Sequence, residues 1–585
     1  MSNERSLVET PLTDPLALVS TRLSSWLSQR AGGGAVDAVV RPSDHADAQI
    51  NGALALAKQL GCNPRDLATE IVESGELDEM CSTIEVAGPG FINITFSNEV
   101  INTLLAAVAN DEHLGLRQAT APKTVVVDYS APNVAKEMHV GHLRSTVIGD
   151  ALVRMYTAAG HQVIRENHIG DWGRPFGMLI EHLLDLGEEV AASGLGQGDL
   201  DGFYKAANAK FNESEEFQER SRQRVVLLQS GDADTHVLWN RLVALSTDYF
   251  NTVYRQLGVL LVDDDLMGES KYQPLMPATL ERLEASGLMS ESDGAKVVFP
   301  PGFTNRDGDP LPLIVQARTG GFNYATSDLA CVIDRIERLN ADLMLYVIGA
   351  PQQQHLEMVF AVAQMAGWMP ERSSAVHVAF GNVLGEDKKM LRSRSGESVK
   401  LVDLLSEAVD RAAAAVEEKN PSLSDSERTS VAQMIGIGAV KYADLSTDRV
   451  RDYVFNWDRM LAFDGNTAPY LQYAHARIRS IFRRAAQEQI SVGNISVEEP
   501  AERALGLRLL AYPAALADAI ESNSPHRLCT YLFELAQLFT SFYEHCPVMK
   551  SDGDIRSSRL ALCDLTARTL SAGLDLLGIE APEQM

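Results

Sequence analysis

Cysteine is scarce in this chain and never paired in a metal-binding spacing. Cys62, Cys81, Cys331, Cys529, Cys546 and Cys563 stand far apart, with no C-x-x-C among them. That excludes a disulfide framework and a zinc knuckle, and it fits a reducing compartment. Long apolar runs are missing too: none approaches the roughly 18 to 20 residues that a membrane-spanning helix needs. The opening residues MSNERSLVET hold neither a basic nor an apolar stretch, so no secretory leader is expected and the protein reads as cytoplasmic, with no membrane partner. Positive charge is in deficit: 51 Lys and Arg stand against 79 Asp and Glu, for a formal net charge of −28. So acidic a chain is no bulk polyanion binder, and any nucleic-acid contact must come from a local basic patch. Internal repeats and low-complexity tracts are absent as well.

What the chain does hold falls into four parts. Its 585 residues, 45% hydrophobic and 22% charged, are enough for several cores. Residues 1–118 read as an N-terminal α+β module: the helical periodicity of LALVSTRLSSWLSQR and ALALAKQLG leads to EVAGPGFINITF, a Gly-Pro-Gly turn followed by strand alternation. Residues 119–400 carry short, continuously apolar strands at KTVVVDYS, QVIRENHIGDWG, DLMLYVIGA and SAVHVAFG, separated by helical segments. Strands of that kind lie buried on both faces of a parallel sheet, so the expected class is α/β, a doubly wound Rossmann-like sheet. A polar, helical insertion is expected at 181–295. Residues 401–464 read as a helical connective segment and residues 465–585 as an all-α bundle.

The most informative stretch is VVVDYSAPNVAKEMHVGHLRSTVIGDALVRMY, residues 125–156, where a strand ends, a loop follows and a helix begins. A helix N-terminus after a sheet strand is a ready anion site, with unpaired N–H groups and the positive end of the helix dipole. Gly141 permits close approach of a ligand to the backbone, and His139 and His142 stand three apart on the first helical turn. Imidazoles there donate to phosphate oxygens whose charge grows in a transition state, and Lys136 adds a full charge. Two competing readings are surface histidines without a role and half of a zinc site. The second lacks the further ligands that zinc takes.

HVGH in this setting resembles the H-I-G-H signature of class I aminoacyl-tRNA synthetases and of the related nucleotidylyltransferases. The longer run DYSAPNVAKEMHVGHLRSTVIGD is similar to the version of the bacterial-type arginyl-tRNA synthetases, which carries S-x-P-N-x-x-K before H-V-G-H. The resemblance continues through NHIGDWGRPFG (167–177), the long run VKYADLSTDRVRDYVFNWDRMLAFDGNTAPYLQYAHARIRSIFRRA (440–485) and the closing LLGIEAPEQM. At the other end, RPSDHADAQINGALALAKQLG and GPGFINI resemble the family's additional domain. The resemblance implies activation of L-arginine by ATP, then transfer to tRNA(Arg) with release of AMP and diphosphate. ATP is then a cosubstrate, Mg²⁺ rides on its phosphates, and the protein acts as a monomer. The first domain would touch the outer corner of the tRNA, the last would bind the anticodon, and arginine activation would require bound tRNA.

By the same resemblance His139 and His142 stabilise the α-phosphate, while Pro132 and Gly141 lie against the nucleotide. The second signature loop, usually K-M-S-K-S, corresponds to DKKMLRSRSGESVKL (387–401), which departs from that pattern. Arg392 and Arg394, with Lys388 and Lys389 beside them, stand where the pyrophosphate-gripping charges belong, and Lys136 supplies the missing one. A guanidinium presents five donors in a plane and asks for carboxylate and phenol acceptors. Tyr324 and Asp328, four apart in GGFNYATSDLA, together with Asp128 at the end of the opening strand, are expected to bind it. Asn133 and Gln352 would hold the α-amino and carboxylate end. In YLQYAHARIRSIFRRA, Arg477, Arg479, Arg483 and Arg484 interleave with aromatics and no acidic residue, which reads as a tRNA-binding surface. The alternative is a helix whose arginines pair with acidic neighbours. Two rival functions are a non-catalytic tRNA-binding paralogue on the same scaffold and a small nucleotidylyltransferase. The latter has no use for a helical bundle or an arginine run.

Overall fold

Residues 7–8, 13–187, 200–392 and 399–585 are described by a computed structural model. They divide into two compact units, one built from residues up to Thr120 with Phe463–Asp575 and Glu580–Met585, the other from Ala121–Ala462 with Leu576–Ile579.

In the first unit, strands Val40–Pro42, Ala48–Ile50, Phe91–Phe96 and Cys81–Ala87 form an antiparallel sheet in that order. The alternation of FINITF puts Ile92, Ile94 and Phe96 inside. The preceding turn needs its glycines: Gly88 has φ 53° and Gly90 φ 142°, and a Cβ on Gly90 would stand 2.8 Å from the Pro64 carbonyl oxygen. Helix Asn98–Ala109 packs against helix Pro500–Leu510 of the C-terminal bundle. Asn102 accepts from the Val497 N–H, and Arg568 donates to the carbonyls of Ala109 and Asp111. Two segments remote in sequence therefore share one body.

The second unit is organised by a four-stranded parallel sheet in the order Ser374–His377, Leu343–Tyr346, Thr124–Asp128, Gln162–Glu166. Thr124–Asp128 is flanked on both sides, and Val125, Val126 and Val127 are fully buried, which is why the strand reads as an unbroken apolar run. The parallel register brings Asp128, Glu166, Tyr346 and His377 to one edge, the carboxyl edge at which open sheets bind ligands. Helix Val140–Ala158 lies close on this sheet because Gly149 has no side chain; a Cβ there would run into the Tyr129 ring.

The insertion holds helices Leu200–Glu213, Glu215–Ser230, Ala233–Leu257 and Met276–Ala285, but it ends in strand rather than helix. Ser290–Ser292, Ala295–Val298 and Leu313–Gln316 make an antiparallel sheet. Its first turn is Asp293-Gly294 with φ 49° and 76°, the mirror-image turn that matches strand twist. Helices Leu401–Lys419 and Asp425–Leu445 pack on one another within the same unit. Among the described residues, no helix is long and apolar enough to cross a membrane. All six cysteines are free thiols.

Candidate active site

Between strand Thr124–Asp128 and helix Val140–Ala158 the backbone takes three left-handed residues, none of them glycine: Ser130 (φ 75°), Ala131 (φ 48°) and Ala135 (φ 59°). Each costs about 1–2 kcal/mol and persists only where its surroundings hold it. Here the holding groups are side chains from three other segments. The Ser130 N–H donates to Ser145 Oγ at 2.9 Å, Ala131 to Asn167 Oδ1 at 3.0 Å, and Ala135 to Ser246 Oγ at 2.9 Å. The buried Tyr254 hydroxyl lies 2.8 Å from Ser130 Oγ and accepts from Asn167 Nδ2 at 2.9 Å. Pro132 is buried with its carbonyl on the Gly170 N–H, whereas Asn133 is exposed.

His139 caps the helix rather than joining its first turn. Its Nδ1 accepts from the Gly141 N–H at 3.0 Å, and His142 Nδ1 accepts from the His139 N–H at 3.1 Å. The ring centroids are 4.1 Å apart. With both Nδ1 atoms accepting, each neutral ring carries its proton on Nε2. Burial pushes His139 below the ordinary histidine range and His142 down to about 3, with the neighbouring His139 and Lys136 adding to the effect at His142. Both are therefore neutral Nε2–H donors at physiological pH. Gly141 has a local reason to be glycine, since a Cβ there would stand 2.8 Å from His139 Cε1. Lys136 holds its ammonium 4.6 Å from the centroid of the Tyr204 ring. One turn into the helix, the buried Arg144 ties it to the connective segment through Asp444 at 3.2 Å and the Arg451 carbonyl at 2.9 Å.

The second signature loop opens on a tight turn. The Gly385 N–H donates to the Lys389 carbonyl at 2.8 Å and Lys388 back to Gly385 at 2.9 Å, with Lys388 at φ 59°. Residues 385–387 and 389–392 line a hollow that takes in Lys389 and Arg392. Arg394 lies outside the described residues. Beyond it the chain returns to the first signature: the Val140 N–H donates to the Val399 carbonyl at 3.0 Å, and Leu401 to Met138 at 2.9 Å. Lys400 pairs with the buried Glu137 at 2.9 Å.

Tyr324 and Asp328 open helix Tyr324–Glu337, and Tyr324 is 74% exposed. Asp328, a quarter exposed, accepts from His355 Nε2 at 2.5 Å, a contact that raises the His355 pKa above its ordinary value. Gln352 is exposed, three residues before His355.

Asp128 departs from expectation. Its Oδ2 is held at 2.7 Å by Arg335 Nη2, while Arg335 Nε holds Glu166 at 2.6 Å, all three side chains being buried. The same guanidinium lies 4.6 Å over the Tyr346 ring. A carboxylate neutralised by an internal guanidinium is not available with that oxygen to recognise a free one, and its Oδ1 is sealed from solvent. Arg335 follows Asp328 by seven residues, two helical turns on the same face, and that spacing was the available signal.

Two acidic residues join the site that sequence reasoning missed. Glu269 is half-buried and forms no ion pair among the described residues; burial, then Asp171 and Asp328, push its carboxyl up to about 7. Asp171 is buried, accepts from the Ser270 N–H at 2.8 Å and Ser270 Oγ at 2.6 Å, and is likewise raised by burial. Asp171 belongs to the quoted NHIGDWG run, but nothing in MGESKY marks Glu269. Asp171, Glu269 and Asp328 have no Lys or Arg paired to them among the described residues, an arrangement that fits a cationic ligand.

Three family models match the chain. That of the class I tRNA synthetases (R), catalytic domain, spans residues 103–457, that of the arginyl-tRNA synthetase N-terminal domain 19–96, and the DALR anticodon binding domain 471–585. The arginine–tRNA ligase of Thermobifida fusca is 52% identical over 578 residues, covering 98% of this chain and 100% of that protein. The chain belongs to the class I arginyl-tRNA synthetases. The solved arginyl-tRNA synthetases of Plasmodium falciparum and Thermus thermophilus each superpose with a TM-score of 0.82, at 28% and 26% identity. Both alignments cover 97% of this chain and at least 99% of the other.

In this arginyl-tRNA synthetase the arginine run lies on helix Ala468–Gln487, inside the DALR match. Its four arginines are not equally available. Arg479 Nε pairs with Glu583 at 2.7 Å, and Arg483 donates to the Glu583 carbonyl at 2.8 Å. Arg477 lies 4.0 Å over the Tyr543 ring, and Arg484 is exposed without an ion pair among the described residues. The alternative of arginines paired to acidic neighbours thus holds for Arg479.

Proposed function

We propose that this chain activates L-arginine with ATP and passes it to tRNA(Arg) in the cytoplasm, through the residues described above. In the first step an α-carboxylate oxygen of arginine attacks the α-phosphorus, the bond to the bridging oxygen breaks, and diphosphate leaves. In the second, a hydroxyl of the terminal ribose attacks the carbonyl carbon, AMP departs with the bonding pair, and the hydroxyl proton is released. Positioning and charge stabilisation carry both steps.

His139 and His142 donate Nε2–H to the α-phosphate oxygens, and their neutrality spares the site a desolvated cation. Pro132 and Gly141 face the nucleotide. Lys136, Lys389, Arg392 and Arg394 balance the diphosphate charge. Mg²⁺ would be carried on the phosphates, as its preference for phosphate oxygens and retained water allows; no group of three or more His, Cys, Asp or Glu side chains is gathered for a metal among the described residues. Tyr324, Asp328 and Glu269 take the guanidinium, Asn133 and Gln352 the α-amino and carboxylate end, and Asp128 acts through Arg335 as a positioning residue.

The observation that carries this reading is the set of carboxylates around Asp328 and Glu269, to which no Lys or Arg is paired among the described residues, in the same unit as the neutral histidine cap. The test is aminoacylation of total bacterial tRNA with each standard amino acid in turn, with ATP and Mg²⁺. Charging with arginine alone is expected. Charging with another amino acid would overturn the pocket, and tRNA binding without any charging would favour the non-catalytic paralogue.

A further inference from the structure

The last six residues, EAPEQM, lie along the arginine-bearing helix and are fixed there by contacts that include the following four. Gln472 Nε2 donates to the Glu580 carbonyl at 2.8 Å, His475 Nδ1 to the Pro582 carbonyl at 3.0 Å, and Arg483 to the Glu583 carbonyl at 2.8 Å. The fourth differs in kind. The Glu583 carboxylate reaches Arg479 at 2.7 Å, with 64% of the glutamate side chain and 35% of the arginine side chain still in solvent. Three backbone anchors already hold the tail, so the side-chain pair is not needed to keep it in place. What the carboxylate does is occupy a guanidinium in the position a phosphate oxygen would take, with the same charge and the same hydrogen-bonding geometry.

We propose that Glu583 tunes the affinity of this surface for RNA, as an intramolecular anion that any phosphate must displace from Arg479. The inference rests on the reading of helix Ala468–Gln487 as an RNA surface. Phosphate contacts carry no sequence information, so every arginine left open raises affinity for all RNA alike. A partly exposed ion pair is weak and salt-screened. It is therefore displaced by a phosphate placed correctly by the rest of the interface, and it resists one that arrives without such support. Arg484, exposed and without an ion pair among the described residues, provides the standing phosphate contact.

The test measures binding of cognate and non-cognate tRNA by the full chain across a salt series, for wild type, E583Q, E583Q/R479A and R484A. The glutamine keeps the size of the side chain and leaves the Glu583 backbone carbonyl in place for Arg483. E583Q is expected to tighten non-cognate binding about three- to fivefold at low salt, the range of a single exposed ion pair. The slope of log affinity against log salt should steepen by about 0.7 to 0.9, one extra phosphate. Cognate binding, which already displaces the pair, should tighten at least as much with its salt slope unchanged, and E583Q/R479A should lose the gain. No gain in E583Q, or a gain that survives removal of Arg479, overturns the proposal. Circular dichroism and melting of each variant separate these outcomes from misfolding; should E583Q unfold, E583D, whose shorter side chain draws the carboxylate back, takes its place with the same expected direction. If R484A binds tRNA as wild type does and E583Q shows no gain, the RNA-surface reading falls with the proposal. If R484A weakens binding while E583Q shows no gain, only the role of Glu583 falls.

Discussion

Asp128 and Asp328 are two carboxylates near the same ligand edge, and the protein treats them in opposite ways. Asp128 is buried and matched by the buried Arg335, which also serves Glu166. Asp328 remains partly exposed, its ion-pair partner among the described residues is a histidine, and it joins Asp171 in raising the Glu269 carboxyl. The first arrangement is built around an internal arginine, and the second has no Lys or Arg paired into it among the described residues. A binding site for a guanidinium has to be of the second kind, because an internal arginine removes the demand that a ligand would satisfy.

That contrast is broken most severely at its saturated end. Arg335→Met strands two buried carboxylates and is expected to cost about 3–5 kcal/mol of unfolding free energy, read by urea denaturation. Asp328→Asn should do the reverse, leaving the melting temperature unchanged while kcat/KM for arginine activation falls about thirty- to a thousandfold. That is the roughly 2–4 kcal/mol of a truncated charge-assisted contact.

The smallest effect is the most diagnostic, since it depends on pH. A carboxyl raised to about 7 is protonated more readily in the folded protein, so its own contribution to stability is full below the ordinary carboxylate range and is lost as pH rises through 7. A guanidinium beside it favours the charged form, so arginine should bind more tightly as pH rises through 7, with release of a proton. KM for arginine should increase up to about tenfold from pH 8 to pH 6 in the wild type. Glu269→Gln should flatten that slope; an unchanged slope would place Glu269 outside the pocket.

What was legible in the sequence is what depends on near neighbours. The buried strand and the helix start that follows it both come from local period and spacing. The failures lie where the decisive partner is remote. Arg335 and Asp128 are 207 residues apart, and Arg479 and Glu583 are 104 apart, so neither pairing leaves a trace in local pattern. The hairpin at Asp293-Gly294 carries a turn signal, but its strands are short, with only Val297 and Val298 buried, and a polar stretch between helices resembles more of the same. Glu269 has no signal at all, because its role comes from the fold placing it near Asp171 and Asp328.

The left-handed loop before the signature helix has a consequence for the order in which this chain becomes competent. Its shape depends on Ser145, Asn167 and Ser246, and the start of its helix is sealed by the carbonyl of Val399. A ribosome releases Ser246 and Val399 long after the HVGH signature itself has emerged. An unfinished or truncated chain therefore carries the complete nucleotide motif in a form that has no reason to hold three strained residues in place. Competence for ATP is a property of the nearly complete catalytic unit, and the fold withholds it from fragments.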